Sequence, residues 1–536
     1  MNYKQVEEYI LNIPKFRAEG SIEQTRKFYE FLGKPGKNGT IVHVAGTNGK
    51  GSACAYMNSV LTEEGYQVGM FTSPHLVSVR ERMRVGHTLI SEQEFVENFY
   101  RLMEQIKRYD ETNRKIEEGN KETEEPDKET QETNKKTEED SINRILFNNI
   151  DKKEKRAVQE KETEIQSQVN YTPTFYEFLF FMAMLYFEEQ KTDMIILETG
   201  LGGRLDATNV IDAPKVAVIT EIGMDHMEYL GDTIAKIAEE KAGIIKKGSI
   251  VVYSANRQES AAVIERKAGE LDVLCKSVEK LEKGDYRFVD KKIDFSFFSR
   301  YYDYIPIRLV TSAVYQIENA TLALTAIEEI GVKISKESLQ AGMEKCRWEG
   351  RMEEILPNVF LDGAHNEDGI DAFINSVRND GCKGKRWLLF SALADKEYIL
   401  MKEKLINSEL FSYIYASPLN TVRGITKEEL QKLFSDSLVS KKKSAAEKNI
   451  FTEDNRLEET TILCDGEEQA DKVFADDKMI QKKTESENTI SDRQVRITDS
   501  AYEGLQEILI SKKEKDLVYV TGSLYLVGEI MCQMSD

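Results

Sequence analysis

Apolar residues in this chain come in short continuous runs, separated by longer stretches with helical spacing. The first is Thr40-Ile41-Val42-His43-Val44-Ala45; Gln67 to Phe71, Met194 to Leu197, Lys215 to Thr220 and Ser249 to Tyr253 follow. A run that is apolar throughout, rather than alternating, predicts a strand covered on both faces, and helices between such strands predict a parallel sheet. Helices are predicted at Ser52 to Glu64 and Ile234 to Ile245. A second series repeats the pattern at Val359 to Leu361, Trp387 to Phe390, Phe411 to Tyr415 and Leu517 to Val520. The expectation is an α/β fold of two units, 1–350 and 351–536, with Cys346 to Pro357 as the hinge because Gly350 and Pro357 fall there.

Two stretches break the pattern. From about 110 to 170, and again from about 439 to 500, the chain is dominated by Glu, Lys, Thr, Asn and Gln. Too few large apolar side chains are present to offset the entropy of ordering, which predicts one mobile polar insertion in each unit. Solvated charged helix over part of each stretch is the alternative.

Composition narrows the partners. The 536 residues carry a formal net charge of -21, with 31% charged and 40% hydrophobic positions. That field repels polyanions, which argues against nucleic-acid and anionic-membrane partners. Small anionic substrates stay open, because a local cluster of Lys, Arg or metal reverses the field inside a cleft. The six cysteines (54, 275, 346, 382, 464 and 532) show no metal or redox spacing. Met1 to Gly20 has no secretory core, and no run reaches the roughly 20 apolar residues of a membrane span. The expectation is a cytoplasmic monomer with small-molecule substrates.

The chemistry starts where the first run ends. A strand that enters Gly46-Thr47-Asn48-Gly49-Lys50-Gly51-Ser52 and leaves as a helix sets backbone N–H groups and a helix N-terminus around a phosphate chain. Lys50 adds a charge there, and Ser52 can reach Mg²⁺. The loop departs from the common Walker pattern: Val44 stands at its first glycine, and Gly51 displaces the hydroxyl by one place. ATP is the expected nucleotide.

Val44 to Ser52 resembles the loop of the folylpolyglutamate synthase and dihydrofolate synthase family, a branch of the Mur ligases. Five further blocks agree in order: Phe71-Thr72-Ser73-Pro74-His75-Leu76, Leu197 to Asn209, Asp225-His226, Glu240-Lys241-Ala242-Gly243-Ile244 and Leu361-Asp362-Gly363-Ala364-His365-Asn366. The resemblance implies a P-loop, Mur-ligase-like ATPase domain with a mainly parallel sheet, and a smaller Rossmann-like C-terminal glutamate-ligase domain. It implies a reaction in which ATP turns a folate carboxylate into an acyl phosphate that glutamate then attacks.

By the same resemblance, Ser73, Glu198 and His226 are magnesium ligands for two metal sites, and Lys241 is the lysine that family members carry as an N6-carbamate. Lys50, Lys241, His226 and Glu198 form the catalytic set; Asn319, Arg351 and Asp362 contact ATP beside the loop. Thr174, Phe175, Tyr176, Glu177, Leu205, Asp206 and Ala207 match segments that touch dihydropteroate, and His365 and Ser523 match the glutamate side. Ser21-Ile22-Glu23-Gln24 departs from the Leu-x-Arg pattern of bifunctional members, which favours folylpolyglutamate synthesis over dihydrofolate synthesis. His43 and His87 match no catalytic motif and are read as structural. A peptidoglycan Mur ligase is the rival enzyme, disfavoured by Gly51-Ser52 after Lys50 and by the Ser-Pro-His block. An inactive ATP-binding interaction module is the rival outside enzymes.

Overall fold

A computed structural model describes residues 1–15, 22–121, 171–282, 284–394, 397–421, 423–434 and 494–535. They fall into two compact units: 1–282, 296–307 and 318–346 form the first, and 283–295, 308–317 and 347–536 the second.

The first unit is built on an eight-stranded sheet. Its strands are β1 (Thr40–Ala45), β2 (Val68–Phe71), β3 (Met83–Val85), β4 (Thr88–Leu89), β5 (Met194–Glu198), β6 (Val216–Ile219), β7 (Ile250–Ser254) and β8 (Cys275–Val278). Their order is β4-β3-β2-β5-β1-β6-β7-β8. From β2 to β8 every pairing is parallel, and β3 and β4 add an antiparallel edge. The apolar runs predict this centre because β1, β5 and β6 are buried on both faces. One face packs on the helix Phe175–Glu189, whose Phe178, Phe180, Phe181 and Phe187 are fully buried. The other carries a cluster of Ile237, Ala238, Ile244, Val251 and Ile264.

Three strands, β9 (Tyr286–Val289), β10 (Lys292–Ser299) and β11 (Asp303–Leu309), form a separate antiparallel sheet. Here burial alternates along each strand, as in β10, so no continuous apolar run announces it.

The second unit holds a six-stranded sheet ordered β12-β13-β17-β14-β15-β16. Its strands are β12 (Arg351–Leu356), β13 (Val359–Asp362), β14 (Arg386–Phe390), β15 (Tyr413–Ala416), β16 (Gln494–Ile497) and β17 (Leu517–Thr521). All pairings are parallel except β12, which runs antiparallel to β13.

The structure corrects two expectations and adds detail to a third, since the chain leaves the first unit for the last time between Cys346 and Arg347, inside the predicted hinge segment. The predicted hinge is strand β12, with Gly350 and Pro357 just outside its ends. The first polar stretch begins inside a helix, Glu92–Lys121, whose apolar stripe of Phe95, Phe99, Leu102 and Ile106 anchors a tail too polar to read as ordered. The second polar stretch ends in β16, hidden because it follows a long polar tract. The rest of both stretches lies outside the described residues. Among the described residues no helix is long and apolar enough to cross a membrane.

Candidate active site

Strand β1 delivers the chain into Gly46-Thr47-Asn48-Gly49, and the helix Lys50–Glu63 leaves it. Gly46 has φ 149 and Gly49 φ 90, both on the left-handed side that side chains disfavour. A Cβ on Gly46 would fall 1.9 Å from Thr220 Oγ1, and one on Gly49 would fall 2.1 Å from Asn319 Oδ1. The turn is held from β6: the N–H groups of Thr47 and Asn48 donate to Glu221 O at 2.8 and 3.2 Å. Gly51 and Ser52 form the helix's first turn, where the helix dipole favours an anion.

Two lysines converge on one carbonyl. Lys50 Nζ donates to Gly46 O and Thr47 O at 3.1 and 3.2 Å, while Lys241 Nζ donates to Gly46 O at 2.7 Å. Lys241 lies on the helix Ile234–Ala242 and is 4% exposed. Burial first, then the Lys50 charge, pull its pKa down to about 7, against the opposing pull of Asp225 and Asp206. Asn319, on the helix Gln316–Ile330, lies against Gly49, so the structure brings this predicted contact to the loop.

Of the predicted metal ligands, Ser73 and Glu198 lie together. Ser73 N donates to Glu198 Oε2 at 3.0 Å, and Glu198 is 3% exposed at the end of β5. His226 starts a short helix, Met227–Leu230, at φ 52, with its Nε2 3.9 Å from Asp225 Oδ1. Among the described residues no group of three or more His, Cys, Asp and Glu side chains forms a metal cage. Magnesium does not require one: it takes one or two carboxylates, keeps waters and completes its shell with phosphate oxygens. Glu198, bonded to the Ser73 N–H, supplies such a carboxylate and fits that demand, and the loop fits a nucleotide's phosphates.

The predicted pterin contacts divide. Thr174 and Glu177 cap the helix Phe175–Glu189 reciprocally: Glu177 Oε2 accepts from Thr174 N and Oγ1 at 2.7 and 2.8 Å, and Thr174 Oγ1 accepts from Glu177 N. Glu177 also accepts from Thr25 Oγ1. Glu177→Ala should therefore lower stability by about 1–2 kcal/mol, read as a shifted urea midpoint; an unchanged midpoint would contradict the capping role. Phe175 packs under Arg82, whose guanidinium is 5.3 Å from its ring. Tyr176 Oη donates to Glu198 O at 2.7 Å, and burial raises its pKa. Leu205 is 60% exposed, whereas Ala207 is buried. Asp206 is buried too, and both its oxygens are engaged by its own loop: Oδ2 accepts from Gly200 N and Leu201 N, and Oδ1 from Thr208 N and Oγ1. Burial raises its pKa in spite of these four bonds.

In the second unit, β13 and β17 lie side by side and end at Asp362 and Thr521. Asp362 accepts from Tyr315 Oη at 2.5 Å, Met352 N at 3.1 Å and Ala364 N at 2.9 Å. Its pKa is raised by burial, with Arg351, opposite it on β12, pulling the other way. Gly522 N donates to Ala364 O at 3.1 Å, joining the loops that carry His365 and Ser523. His365 Nδ1 donates to Gly363 O at 2.8 Å, since a carbonyl only accepts. Ser523 is buried, and its Oγ accepts from Tyr525 N at 3.1 Å. Arg351, Asp362, His365 and Ser523 thus gather at the carboxyl ends of parallel strands, the edge where such sheets bind ligands.

Comparison with known proteins decides among the candidate enzymes. Residues 133–327 match the Mur ligase middle domain. Over 420 residues the chain is 33% identical to the dihydrofolate synthase/folylpolyglutamate synthase of Bacillus subtilis (strain 168), a match covering 75% of this chain and 82% of that one. The chain belongs to that family. It is also 28% identical over 433 residues to folylpolyglutamate synthase of Lacticaseibacillus casei, covering 78% and 86% of the two chains. The fold matches Mycobacterium tuberculosis folylpolyglutamate synthase complexed with ADP, at a TM-score of 0.70 and 20% identity over 100% and 98% of the chains.

Two histidines already noted in the sequence gain a structural setting here: His75, in the Ser-Pro-His block, and His43, read as structural. Arg82 Nε donates to His75 Nδ1 at 2.9 Å, and burial, then Arg82 and Lys15, hold the His75 pKa near 3, so this imidazole is a neutral acceptor. His43 is fully buried on β1. A histidine within an apolar run was the signal available for the second, since burying a polar ring is costly unless it is bonded.

Proposed function

We propose that the chain is an ATP-dependent ligase that adds L-glutamate to a reduced folate, releasing ADP and phosphate. The observation that carries this reading is the convergence of Lys50 and Lys241 on Gly46 O at the mouth of a loop shaped for phosphates. The acceptor's carboxylate oxygen attacks the γ-phosphorus and ADP departs; the glutamate nitrogen then attacks the acyl carbon, phosphate leaves and the amine loses a proton. Lys50 and the first-turn N–H groups would bind and orient the triphosphate. Ser73, Glu198 and His226 would hold magnesium, which when bound neutralises phosphate oxygens. Asn319, Arg351 and Asp362 are assigned to the nucleotide, and His365 and Ser523, in a C-terminal glutamate-ligase domain, to glutamate. On the folate side we assign Phe175, Tyr176 and Leu205.

A Lys241 with a pKa near 7 supports a further assignment: its neutral Nζ adds CO₂ and loses a proton, giving a carbamate. The modification would turn a cation into an oxygen ligand for a second magnesium.

A second reading, dihydropteroate as acceptor, is favoured by the dual name of the Bacillus subtilis relative. Purified protein with ATP, Mg²⁺ and glutamate, offered tetrahydrofolate, dihydropteroate or a muramyl-peptide precursor in turn, separates the readings by ADP release. Turnover with tetrahydrofolate supports the first reading, and turnover with dihydropteroate adds the second. Turnover with neither pterin acceptor defeats both.

A further inference from the structure

We propose that His43, which the reaction itself does not use, is a positioning residue: it fixes the loop that follows Glu198 relative to the strand that carries the phosphate loop. His43 lies on β1, three residues before Gly46, and is fully buried. Its Nε2 is 2.8 Å from Thr208 Oγ1, and Thr208 Oγ1 is 2.5 Å from Asp206 Oδ1. The direction of this chain follows from counting protons. Asp206 already accepts three backbone N–H groups, so it is the acceptor end, and the single Thr208 hydroxyl proton goes to it. Nε2 of His43 must then be the donor. The ring is neutral, since burial, and secondarily Lys246, hold its pKa near 3.

That assignment leaves Nδ1 a buried acceptor, and among the described residues Nδ1 has no hydrogen-bond partner. An unpaired buried polar atom is costly, and an apolar side chain of similar size would avoid the cost. The single bond to Thr208 is what the imidazole adds at this position. Other bonds already tie the loop elsewhere: Arg204 N donates to Glu240 O at 2.7 Å, and Asn209 Nδ2 to Gly243 O at 3.1 Å, both on the side of the Lys241 helix. The His43 bond adds a second tie to β1, beyond the bond from Thr199 N to Val44 O at 2.9 Å where the loop begins, so the exposed Leu205, the Glu198 carboxylate and the phosphate loop share one frame. Under the function proposed above, that frame sets the acceptor carboxylate against the γ-phosphate.

The test compares His43→Leu, which removes the donor, His43→Gln, whose amide N–H replaces it, and Thr208→Val, which removes the receiver. In His43→Leu and Thr208→Val, the KM for tetrahydrofolate should rise about tenfold while the KM for ATP moves by less than about twofold. His43→Gln should restore most of the loss, and the double variant His43→Leu/Thr208→Val should be no worse than either single one. Hydrogen exchange over 199–210 should quicken in both deletions and return in His43→Gln. An unchanged folate KM and unchanged exchange in a folded His43→Leu would overturn the proposal, as would equal losses on both substrates without rescue by glutamine. Should His43→Leu fail to fold, Thr208→Val carries the same comparison. If the wild type uses no pterin acceptor, the functional reading fails by itself, and the exchange data still decide the role of His43.

Discussion

Lys50→Met should reduce kcat/KM for ligation by about a hundred- to a thousandfold while leaving the fold in place. Methionine keeps the length and apolar stem of the lysine and removes only its charge and donors. In the present arrangement the ammonium bonds two loop carbonyls, Gly46 O and Thr47 O, so its loss costs the folded state roughly 1 kcal/mol. The expected loss of catalysis is larger because the charge that develops on the transferring phosphoryl group is met by groups fixed in advance. Removing one such group from a dry site costs on the order of 3–4 kcal/mol of barrier. Measured ADP release and a thermal melt separate the two effects. Activity within tenfold of wild type would mean that the loop does not hold the reacting phosphate.

The parts of this molecule that were legible in its sequence are those in which burial is continuous. Strands β1, β5 and β6 are covered on both faces, so nearly every position is apolar, His43 and Glu198 being the buried exceptions, and the run declares itself. Strand β10 alternates, and β8, with Cys275 and Lys276 half-exposed on the sheet edge, shows no run at all. Strand β12 was obscured by Gly350 and Pro357, which flank a six-residue strand and do not break it. In the site, the phosphate loop was legible because its glycines answer a local geometric demand. Glu198 was legible because a carboxylate ending an apolar run needs compensation. The intramolecular bonds of Thr174, Glu177 and Asp206 were not: their types and order match the pterin segments, yet a Thr-x-x-Glu spacing is also a helix cap, and Asp206 is bonded by its own loop. Which partner a polar side chain chooses is set by tertiary contacts that the order of residues does not contain.

Lys241→Met is expected to abolish ligation and yet to stabilise the protein at low pH, and the two effects have one cause. Lys241 is buried with a pKa near 7, against an ordinary value of 10.5. Below pH 7 both the folded and unfolded chains hold the proton, and the folded state bears the full cost of a buried ammonium beside Lys50. Between pH 7 and 10.5 the unfolded chain binds more protons, so stability rises with pH across that window. Methionine removes the penalty. Its gain over wild type should be a few kcal/mol below pH 7, less about 1 kcal/mol for the lost bond to Gly46 O, and should shrink towards pH 10.5. Melts at pH 6 and pH 9 in CO₂-depleted buffer measure this directly; a gain that is equal at both would refute the assigned titration. The loss of activity follows if the neutral amine takes up CO₂. Wild-type protein stripped of CO₂ should then regain activity when re-equilibrated at a fixed partial pressure of CO₂, faster at pH 8 than at pH 6, because the neutral fraction of an amine with a pKa near 7 falls steeply below it. Lys241→Met should show no such recovery. An active Lys241→Met protein would remove the carbamate and leave the lysine as a support for the Gly46 carbonyl.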